Sequence, residues 1–298
     1  MGSAPRGATD AGHPGRMPEA ATIAAILGGI ASRRRLLDAG CSGGDITRDV
    51  RLGRLRRIRL GHYATAAAEY EAVVAVRIGG VLAGPSAARS YGLWSGLDER
   101  IHVGLPRNAS RLRLDRTPYT KADRYAPEVV LHWVDEIDRH EWRVSRALCL
   151  RQMVDWLDRE TAIACLDTAI TEWSASEVVA AFADSGPRAR LIAAGSRAGS
   201  GSGLESIVRQ RLEALGHRIQ QQVWFDGAGR VDMVVDDVLV LELDGRRYHW
   251  DANAFEEDRR RDAQLTRIGK PYLRLTFRQV LDAWPASLSL IQETLRRA

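Results

Sequence analysis

The chain has 298 residues, of which 45% are hydrophobic, and its formal net charge is +5 at pH 7. This hydrophobic content excludes wholesale disorder, and the length is enough for two domains with a large buried core in at least one of them. The excess of basic side chains favours a polyanionic partner, so nucleic acid is the first expectation.

The cysteines and the apolar runs restrict the class of protein further. Cys41, Cys149 and Cys165 lie far apart without ligand-like spacing, which argues against a disulfide framework or structural zinc and is typical of a cytoplasmic protein. No apolar run approaches the roughly 20 residues that cross a bilayer, so no membrane partner is expected. Residues 1–16 are rich in Gly, Pro and Ala and lack the apolar core of a secretory signal, so we interpret them as a disordered tail.

Residues 17–70 have the pattern of a winged helix-turn-helix. Residues 20–30 and 32–40 are helical in pattern, 42–53 predict a turn followed by a recognition helix, and 55–64 alternate as a short β-wing. The wing segment carries a spaced pattern formed by Gly53, Leu55, Arg57, Ile58, Gly61 and Tyr63. By this pattern it resembles the N-terminal domain found on AbiEi-type antitoxins.

This N-terminal segment is rich in arginine. Its guanidinium groups are expected to contact DNA phosphates, which supplies affinity but little sequence choice. The alternative is that they decorate a solvated face. The candidate nucleic-acid contacts are Arg48, Arg51, Arg54, Arg56, Arg57 and Arg59.

Residues 71–194 predict a mixed α/β middle domain that joins the two ends of the chain. Residues 86–94 resemble a segment of AbiEi-like proteins, and the periodicity of 148–157 and 161–170 indicates packed helices. We find no catalytic constellation there. The Gly- and Ser-rich run 195–203 then predicts a linker, so that the last domain spans 204–298.

Glu205 allows two interpretations. Ser202 is a candidate helix N-cap with Glu205 three residues on, as in a capping box. Alternatively, Glu205 shares a helix face with Val208 and Leu212, which should pack on a sheet and direct the carboxylate toward acidic residues there. We favour the second role, and the two are compatible.

Residues 229–249 form the central feature of the last domain. Two apolar, β-branched runs flank an acidic turn, which predicts a buried hairpin. Asp232, Glu242 and Asp244 interrupt these runs, and buried carboxylates are costly unless they are paired or bind metal. A divalent cation is therefore the natural candidate.

Strand alternation places Glu242 and Asp244 on one face of the second hairpin strand. A strict two-residue turn at 236–237 would pair Asp232 with Leu241 and leave Asp232 on the opposite face from Glu242. If the three carboxylates share a metal, the turn must contain an odd number of residues or a strand must carry a bulge.

The last third of the chain resembles the DUF559 proteins, in the very-short-patch-repair-like branch of the PD-(D/E)xK, or restriction-endonuclease-like, nucleases. The resemblance implies an α/β sandwich around a mixed sheet and a metal-dependent phosphodiesterase site. One departure is that the usual Glu-x-Lys lysine is absent and Asp244 stands in its position. The matching positions are 204–205, Gln222, 231–232, 242–245, His249, 255–262 and 272–276.

The residue types suggest a division of roles. Carboxylate oxygens suit Mg²⁺ or Mn²⁺, with Asp232 and Glu242 as principal ligands and Asp244 as ligand or orienting group. His249 follows the strand end, where it would serve as general acid or base or contact a phosphate; the alternative is a hydrogen-bonded surface histidine. The resemblance implies a catalytic role for Glu205 and secondary site roles for Gln222, Asp258 and Arg261, although 253–268 otherwise predicts a solvated, charged helix.

The sequence therefore predicts a multidomain α/β (α+β) protein that acts as a metal-dependent DNA endonuclease, in defence or repair. The DNA partner is expected to be double-stranded, and a homodimer is left open. The alternative is a non-catalytic, antitoxin-like DNA-binding regulator with a degenerate nuclease fold. The carboxylates favour the enzyme, and the missing lysine keeps the regulator open.

Overall fold

The computed structural model describes residues 19–110, 112–113, 128–135, 137–138, 140–226, 229–244, 264 and 269–298. Within them the chain is a mixed α/β protein with twelve helices and three sheets, which confirms the predicted α/β class. None of the helices described is long and apolar enough to cross a membrane. Contacts divide the chain into two units, Met1–Leu82 with Val103–Arg143 and Ala83–His102 with Val144–Ala298.

The first unit begins with three short helices and a small antiparallel sheet. These elements are α1 (Ala20–Ile26), β1 (Ile30–Ser32), α2 (Arg33–Asp38), α3 (Gly43–Arg51), β2 (Arg56–Arg59) and β3 (His62–Ala64). The strand order is β1-β3-β2. Leu36, Ile46 and Leu55 are buried in one core, and α3 begins at a capping box formed by Ser42 and Asp45. Helices are thus present within 20–30, 32–40 and 42–53 and a hairpin within 55–64, as predicted, but residues 30–32 form strand β1, which the sequence did not predict.

The rest of the first unit packs a buried helix with a second sheet. The elements are α4 (Tyr70–Ile78), β4 (Val81–Leu82), β5 (Ile101–Pro106, of which 103–106 belong to this unit) and β6 (Val129–Val134), in the strand order β4-β5-β6. Helix α4 ends at Gly79, whose φ of 111° few other residues adopt. Arg59 Nη1 donates to the carbonyl oxygen of Arg77 at 2.6 Å, so this cation stabilises the C-terminal end of α4.

The second unit contains eight helices and one four-stranded sheet among its described residues. They are α5 (Gly84–Ser90), α6 (Arg146–Trp156), α7 (Arg159–Glu172), α8 (Ala175–Ala181), α9 (Pro187–Ala194), α10 (Gly203–Glu213), β7 (Ile219–Phe225), β8 (Gly229–Val235), β9 (Leu239–Asp244), β10 (Tyr272–Thr276), α11 (Phe277–Leu281) and α12 (Trp284–Arg297).

The four-stranded sheet has the order β10-β9-β8-β7. Neighbours β7, β8 and β9 are antiparallel, whereas β10 runs parallel to β9, so the sheet is mixed as predicted. One face is covered by apolar residues of α10, including Val208 and Leu212, which pack with Met233, Leu241 and Leu275. The apolar alternation of the strands thus determines which face binds the helices.

The turn between β8 and β9 sets the register of the hairpin. Val235 pairs with Leu239, so three residues separate the paired positions. Asp236 and Asp237 both adopt left-handed backbone conformations, with φ of 53° and 59°, and Val238 N donates to the Val235 carbonyl oxygen at 3.0 Å. The hairpin turn therefore contains an odd number of residues, which is the condition for Asp232 and Glu242 to lie on the same face of the sheet.

A buried ion pair joins α7 to α10. Asp167, which has no exposed surface, accepts hydrogen bonds from Arg209 Nη2 at 2.8 Å and Ser206 Oγ at 2.5 Å. The backbone N–H of Arg197 also donates to Asp167 at 2.7 Å, and Ser200 is buried. The Gly- and Ser-rich run 195–203 is thus held against α7 inside the second unit, and the contact-based units differ from the sequence-based domain limits.

Candidate active site

Acidic residues of the adjacent strands β8 and β9 lie at the same level of the sheet. Met233 pairs with Leu241, and continuing this antiparallel register by one residue sets Asp232 opposite Glu242. Directly opposed side chains on neighbouring strands have Cβ atoms about 5 Å apart. Glu242 is buried and Asp232 is half-buried, and Asp232 Oδ2 accepts a hydrogen bond from the backbone N–H of Leu243 at 2.8 Å. The two predicted principal ligands are therefore neighbours.

Gln222 extends this row onto β7. It lies between the pairs Gln221–Met233 and Val223–Val231, which sets it opposite Asp232. Its φ is 52°, a left-handed conformation that costs a non-glycine residue about 1–2 kcal/mol. Such strain is concentrated at functional sites. Gln222 Nε2 donates to Glu205 Oε2 at 2.7 Å, so the strained residue links the strand row to helix α10.

Glu205 combines the two roles that the sequence allows. Ser202 is the N-cap of α10 and accepts from the Glu205 backbone N–H at 3.2 Å, while the Glu205 carboxylate accepts from the Gly201 backbone N–H at 2.8 Å. The same carboxylate is buried and is bound by Gln222. Glu205 therefore stabilises the start of α10 and also lies within the acidic site.

The pKa of Glu205 is raised above its usual range. Burial is the largest cause, and the negative charge of Asp232 raises the pKa further, although the hydrogen bonds from Gly201, Gln222 and Ser202 oppose the shift. The influence of Asp232 shows that the two carboxylates are close enough to repel each other. This is the pattern of perturbed carboxyl groups that is common at active sites.

This shift predicts a pH-dependent effect of Glu205→Gln. A carboxyl group whose pKa is higher in the folded than in the unfolded state lowers stability as the pH rises from its unfolded pKa through its folded pKa. The amide cannot ionise, and its oxygen can still accept hydrogen bonds. We therefore expect Glu205→Gln to be more stable than the unaltered protein at neutral pH, with the difference shrinking toward acid pH.

Urea unfolding at several values between about pH 4 and pH 8 would measure this difference. Glu293→Gln is the matched control, since Glu293 is half exposed on α12 and its ion pair with Arg297 should give only a small pH-dependent difference of the opposite sign. If the free energy of unfolding changed with pH in the same way in both variants, this would contradict a buried Glu205 that becomes charged at neutral pH.

Asp244 has a cationic neighbour that the sequence did not reveal. Strand β10 pairs with β9 so that Arg274 lies opposite Glu242, and Arg274 Nε is 3.9 Å from Asp244 Oδ1. Sequence reasoning gave Arg274 no role. The signal was present in 272–276, where leucines on the helix-covered face alternate with Tyr272, Arg274 and Thr276. A charged residue on a strand of this kind needs a partner, but the sequence does not say which.

The donor set fits a magnesium or manganese ion with an incomplete protein shell. Among the described residues no group of three or more His, Cys, Asp or Glu side chains is arranged to hold a metal ion. Mg²⁺ commonly takes only one or two carboxylates and completes its shell with water and phosphate oxygens. Asp232 and Glu242 meet that requirement.

Several predicted site residues fall outside the described part of the chain. His249, Asp258 and Arg261 all do so, as does most of the helix expected over 253–268. Their proposed roles as acid or base and as secondary contacts stay predictions.

The predicted nucleic-acid contacts differ in exposure and in their contacts. Arg51, Arg56 and Arg57 are exposed. Arg48 pairs with Asp45 at 2.8 Å and Arg54 with Glu19 at 3.0 Å, and Arg59 donates to the carbonyl oxygen of Arg77 at 2.6 Å. Arg48 is exposed, and its ion pair with Asp45 is weak enough for it to exchange partners. Arg54 also pairs with the buried carboxylate of Asp49 at 3.5 Å, and Arg59 is half-buried at the end of α4. Arg59 is thus better explained as a helix cap than as a phosphate contact.

Comparison with protein-family models finds no match for this chain, and comparison with curated proteins finds no relative.

Proposed function

We propose that the chain is a metal-dependent nuclease that hydrolyses phosphodiester bonds in DNA. The observation that carries this proposal is the hairpin register, which sets Asp232 opposite Glu242 with the carboxyl group of Glu205 close by. A strained Gln222 links these groups. Strands β7–β10 with α10 would then form a restriction-endonuclease-like core.

Hydrolysis requires a water oxygen to bond to phosphorus while the bond from phosphorus to the leaving sugar oxygen breaks. One proton leaves the water, and the leaving oxygen gains a proton. A bound Mg²⁺ or Mn²⁺ would acidify the water and neutralise charge on the phosphate. Asp232 and Glu242 would hold that ion, and Glu205, through Gln222, would fix the geometry of the row. His249 is proposed as the acid or base.

The N-terminal part of the chain supports a DNA partner. The element order α1-β1-α2-α3-β2-β3, with the strand order β1-β3-β2, is that expected of a winged helix-turn-helix, in which α3 would enter the major groove. Arg51 at the end of α3 and Arg56 at the start of the wing are exposed cations. We propose that this module holds the duplex.

The direct test is a cleavage assay with the full chain. Supercoiled, linear and single-stranded DNA, with RNA as a comparison, would be incubated with Mg²⁺, Mn²⁺ or EDTA. We expect cleavage of DNA that requires a metal and stops in EDTA. Absence of cleavage on every substrate, together with no thermal stabilisation by either metal, would contradict the nuclease assignment.

Charge reversal tests the DNA-holding module separately. Because each phosphate contact contributes about 0.9 to the slope of log affinity against log salt, Arg51→Glu and Arg56→Glu should each weaken duplex binding and flatten that slope by about one contact. All sequences should be affected alike. Arg188→Glu, an equal charge change at an exposed position on α9, is the control. Identical slopes for all three variants would contradict phosphate contacts at the first two positions.

A second candidate function, a DNA-binding regulator without catalysis, is favoured by one observation. The described carboxylates form no three-ligand group, and Asp244 has the cation Arg274 beside it. In that case duplex binding would be metal-independent, and the cleavage assay would be negative while the charge-reversal effects remained.

A further inference from the structure

A cavity of about 210 Å³ lies in the first unit, between the wing strands and the C-terminal end of α4. Arg59 of β2 and His62 of β3 form its polar side. Two glycines and three apolar residues form the rest, namely Gly79, Gly80, Val76, Val81 and Ile137. These residues all belong to the first unit, whereas Asp232 and Glu242 belong to the second.

The Arg59 side chain is held against the end of α4. Its Nη1 donates to the carbonyl oxygen of Arg77 at 2.6 Å, and it makes no other hydrogen bond to a described residue. Gly79 leaves room for it, since a Cβ atom there would lie 2.7 Å from Arg59 Nη2. A guanidinium has five N–H donors, so capping the helix uses only one of them.

The charge of Arg59 has no carboxylate partner among the described residues. Burial lowers the pKa of Arg59, and the positive charge of Arg113 lowers it further. The two cations are therefore close enough to repel each other. The C-terminal end of a helix carries only about half a negative charge, so α4 offsets no more than a part of this positive charge.

The described acids that flank Ile137 have other partners. Asp135 accepts from Arg107 Nη2 at 2.9 Å, and Asp138 Oδ1 accepts from the backbone N–H of His140 at 2.8 Å. A half-buried cation without a counter-ion is costly, and a second cation nearby adds to the cost. An anion bound in the cavity would offset both charges, and perturbed charged groups beside a cavity are common at binding sites.

Charge and size restrict the kind of anion. A phosphate monoester carries about −1.5 to −2 charges at pH 7, which matches two arginines better than the single charge of a carboxylate or a phosphodiester. The planar fork of each guanidinium also fits phosphate oxygens. Because a water molecule takes about 30 Å³ in the liquid, 210 Å³ corresponds to roughly seven waters, which is room for a phosphate group and a few carbon atoms.

We propose that this cavity binds the phosphate group of a monoester, with Arg59 and Arg113 as the residues that hold it. The half-burial that argues against Arg59 as a contact for the backbone of a duplex suits a group that enters a cavity. Two sources have this chemistry: a free small phosphate ester and the phosphorylated end of a DNA strand. Binding there requires no nuclease activity.

The test is isothermal titration calorimetry on the full chain in metal-free chloride buffer, where no metal ion can bind the phosphate. Ethyl phosphate, a monoester, and diethyl phosphate, a diester, are titrated into the unaltered protein, Arg113→Met, Arg59→Lys and the control Arg34→Met. Arg34 is an exposed arginine on α2 of the same unit. We expect ethyl phosphate to bind at least about tenfold more tightly than diethyl phosphate, and Arg113→Met to lose at least about tenfold in affinity for it.

Arg113→Met decides the outcome, because the hydrogen bond given by Arg113 Nη1 goes to the Leu112 carbonyl oxygen, at 3.3 Å, and not to α4. Arg59→Lys keeps a cation at the end of the helix but lacks the fork, so it should also bind ethyl phosphate more weakly. Arg34→Met should bind like the unaltered protein. Absence of binding, equal affinity for the two esters, or unchanged affinity in Arg113→Met would overturn the proposal.

Duplexes with 5′-phosphate or 5′-hydroxyl ends distinguish the two sources. If the strand end is the ligand, phosphorylation should tighten duplex binding, ethyl phosphate should compete, and Arg113→Met should remove the difference while Arg34→Met keeps it. If phosphorylation changes nothing and ethyl phosphate still binds, the ligand is a free small phosphate ester. Both results support the monoester site, and they assign its source.

Discussion

Replacing Asp232 by asparagine, or Glu242 by glutamine, is expected to lower metal-dependent cleavage by at least about 1,000-fold while the protein stays folded. Metal ligation stabilises the transition state by several kcal/mol, and about 4 kcal/mol corresponds to this factor. Folding makes the opposite demand, because neutral side chains remove repulsion between neighbouring carboxylates. In Asp232→Asn the side-chain amide also keeps an oxygen that can accept from the Leu243 backbone N–H, so that hydrogen bond is retained.

The measurements are cleavage rate, thermal unfolding and stabilisation by Mg²⁺ or Mn²⁺. Metal should stabilise the unaltered protein but neither variant. Asp226→Asn is the matched control, since Asp226 is an exposed acid at the end of β7 and should change none of the three. Cleavage that persists in Asp232→Asn would move the chemistry to another part of the chain.

Replacing Asp167 by alanine is expected to lower the free energy of unfolding by about 3 kcal/mol or more, because removing one partner of a buried ion pair leaves the other charge uncompensated. Asp167 and Arg209 are both buried, and Ser206 Oγ and the Arg197 N–H also lose their acceptor. Arg209 keeps its contact with Glu213 at 2.8 Å, which limits the loss.

Urea unfolding would measure the loss, with Asp155→Ala as the control because Asp155 is exposed on α6. Surface substitutions of this kind change stability by roughly 0.5 kcal/mol or less. A loss below about 1 kcal/mol in Asp167→Ala would mean that water or another side chain satisfies Arg209.

The hairpin shows how far the sequence could lead. Periodicity identified β8 and β9, and it identified the condition under which Asp232 and Glu242 would share a face. Periodicity could not show whether the turn has an odd number of residues, because the consecutive acids Asp236 and Asp237 are equally consistent with a two-residue turn. The extra residue, Val238, lies between the turn and the paired positions, where only the backbone hydrogen bonds reveal it.

Other features depend on partners that are distant along the chain. The prediction that 195–203 is a linker was based on composition alone, because glycine and serine are typical of flexible segments. Composition does not reveal that this run donates hydrogen bonds to the buried carboxylate of Asp167. Likewise, the pairing of Arg274 with Glu242 depends on how β10 aligns with β9. Local patterns carry neither piece of information.

Vectorial synthesis makes the discontinuous second unit assemble in an unusual order. Helix α5 emerges from the ribosome early, and residues 83–102 belong to the same unit as 144–298. Its buried first turn needs α6, because Gly84 N–H donates to Gln152 at 2.8 Å. At about 5–20 residues per second, α5 waits several seconds for that partner. In a translation system depleted of chaperones, we therefore expect aggregation to be greatest for nascent chains that are stalled after α5 but before α6.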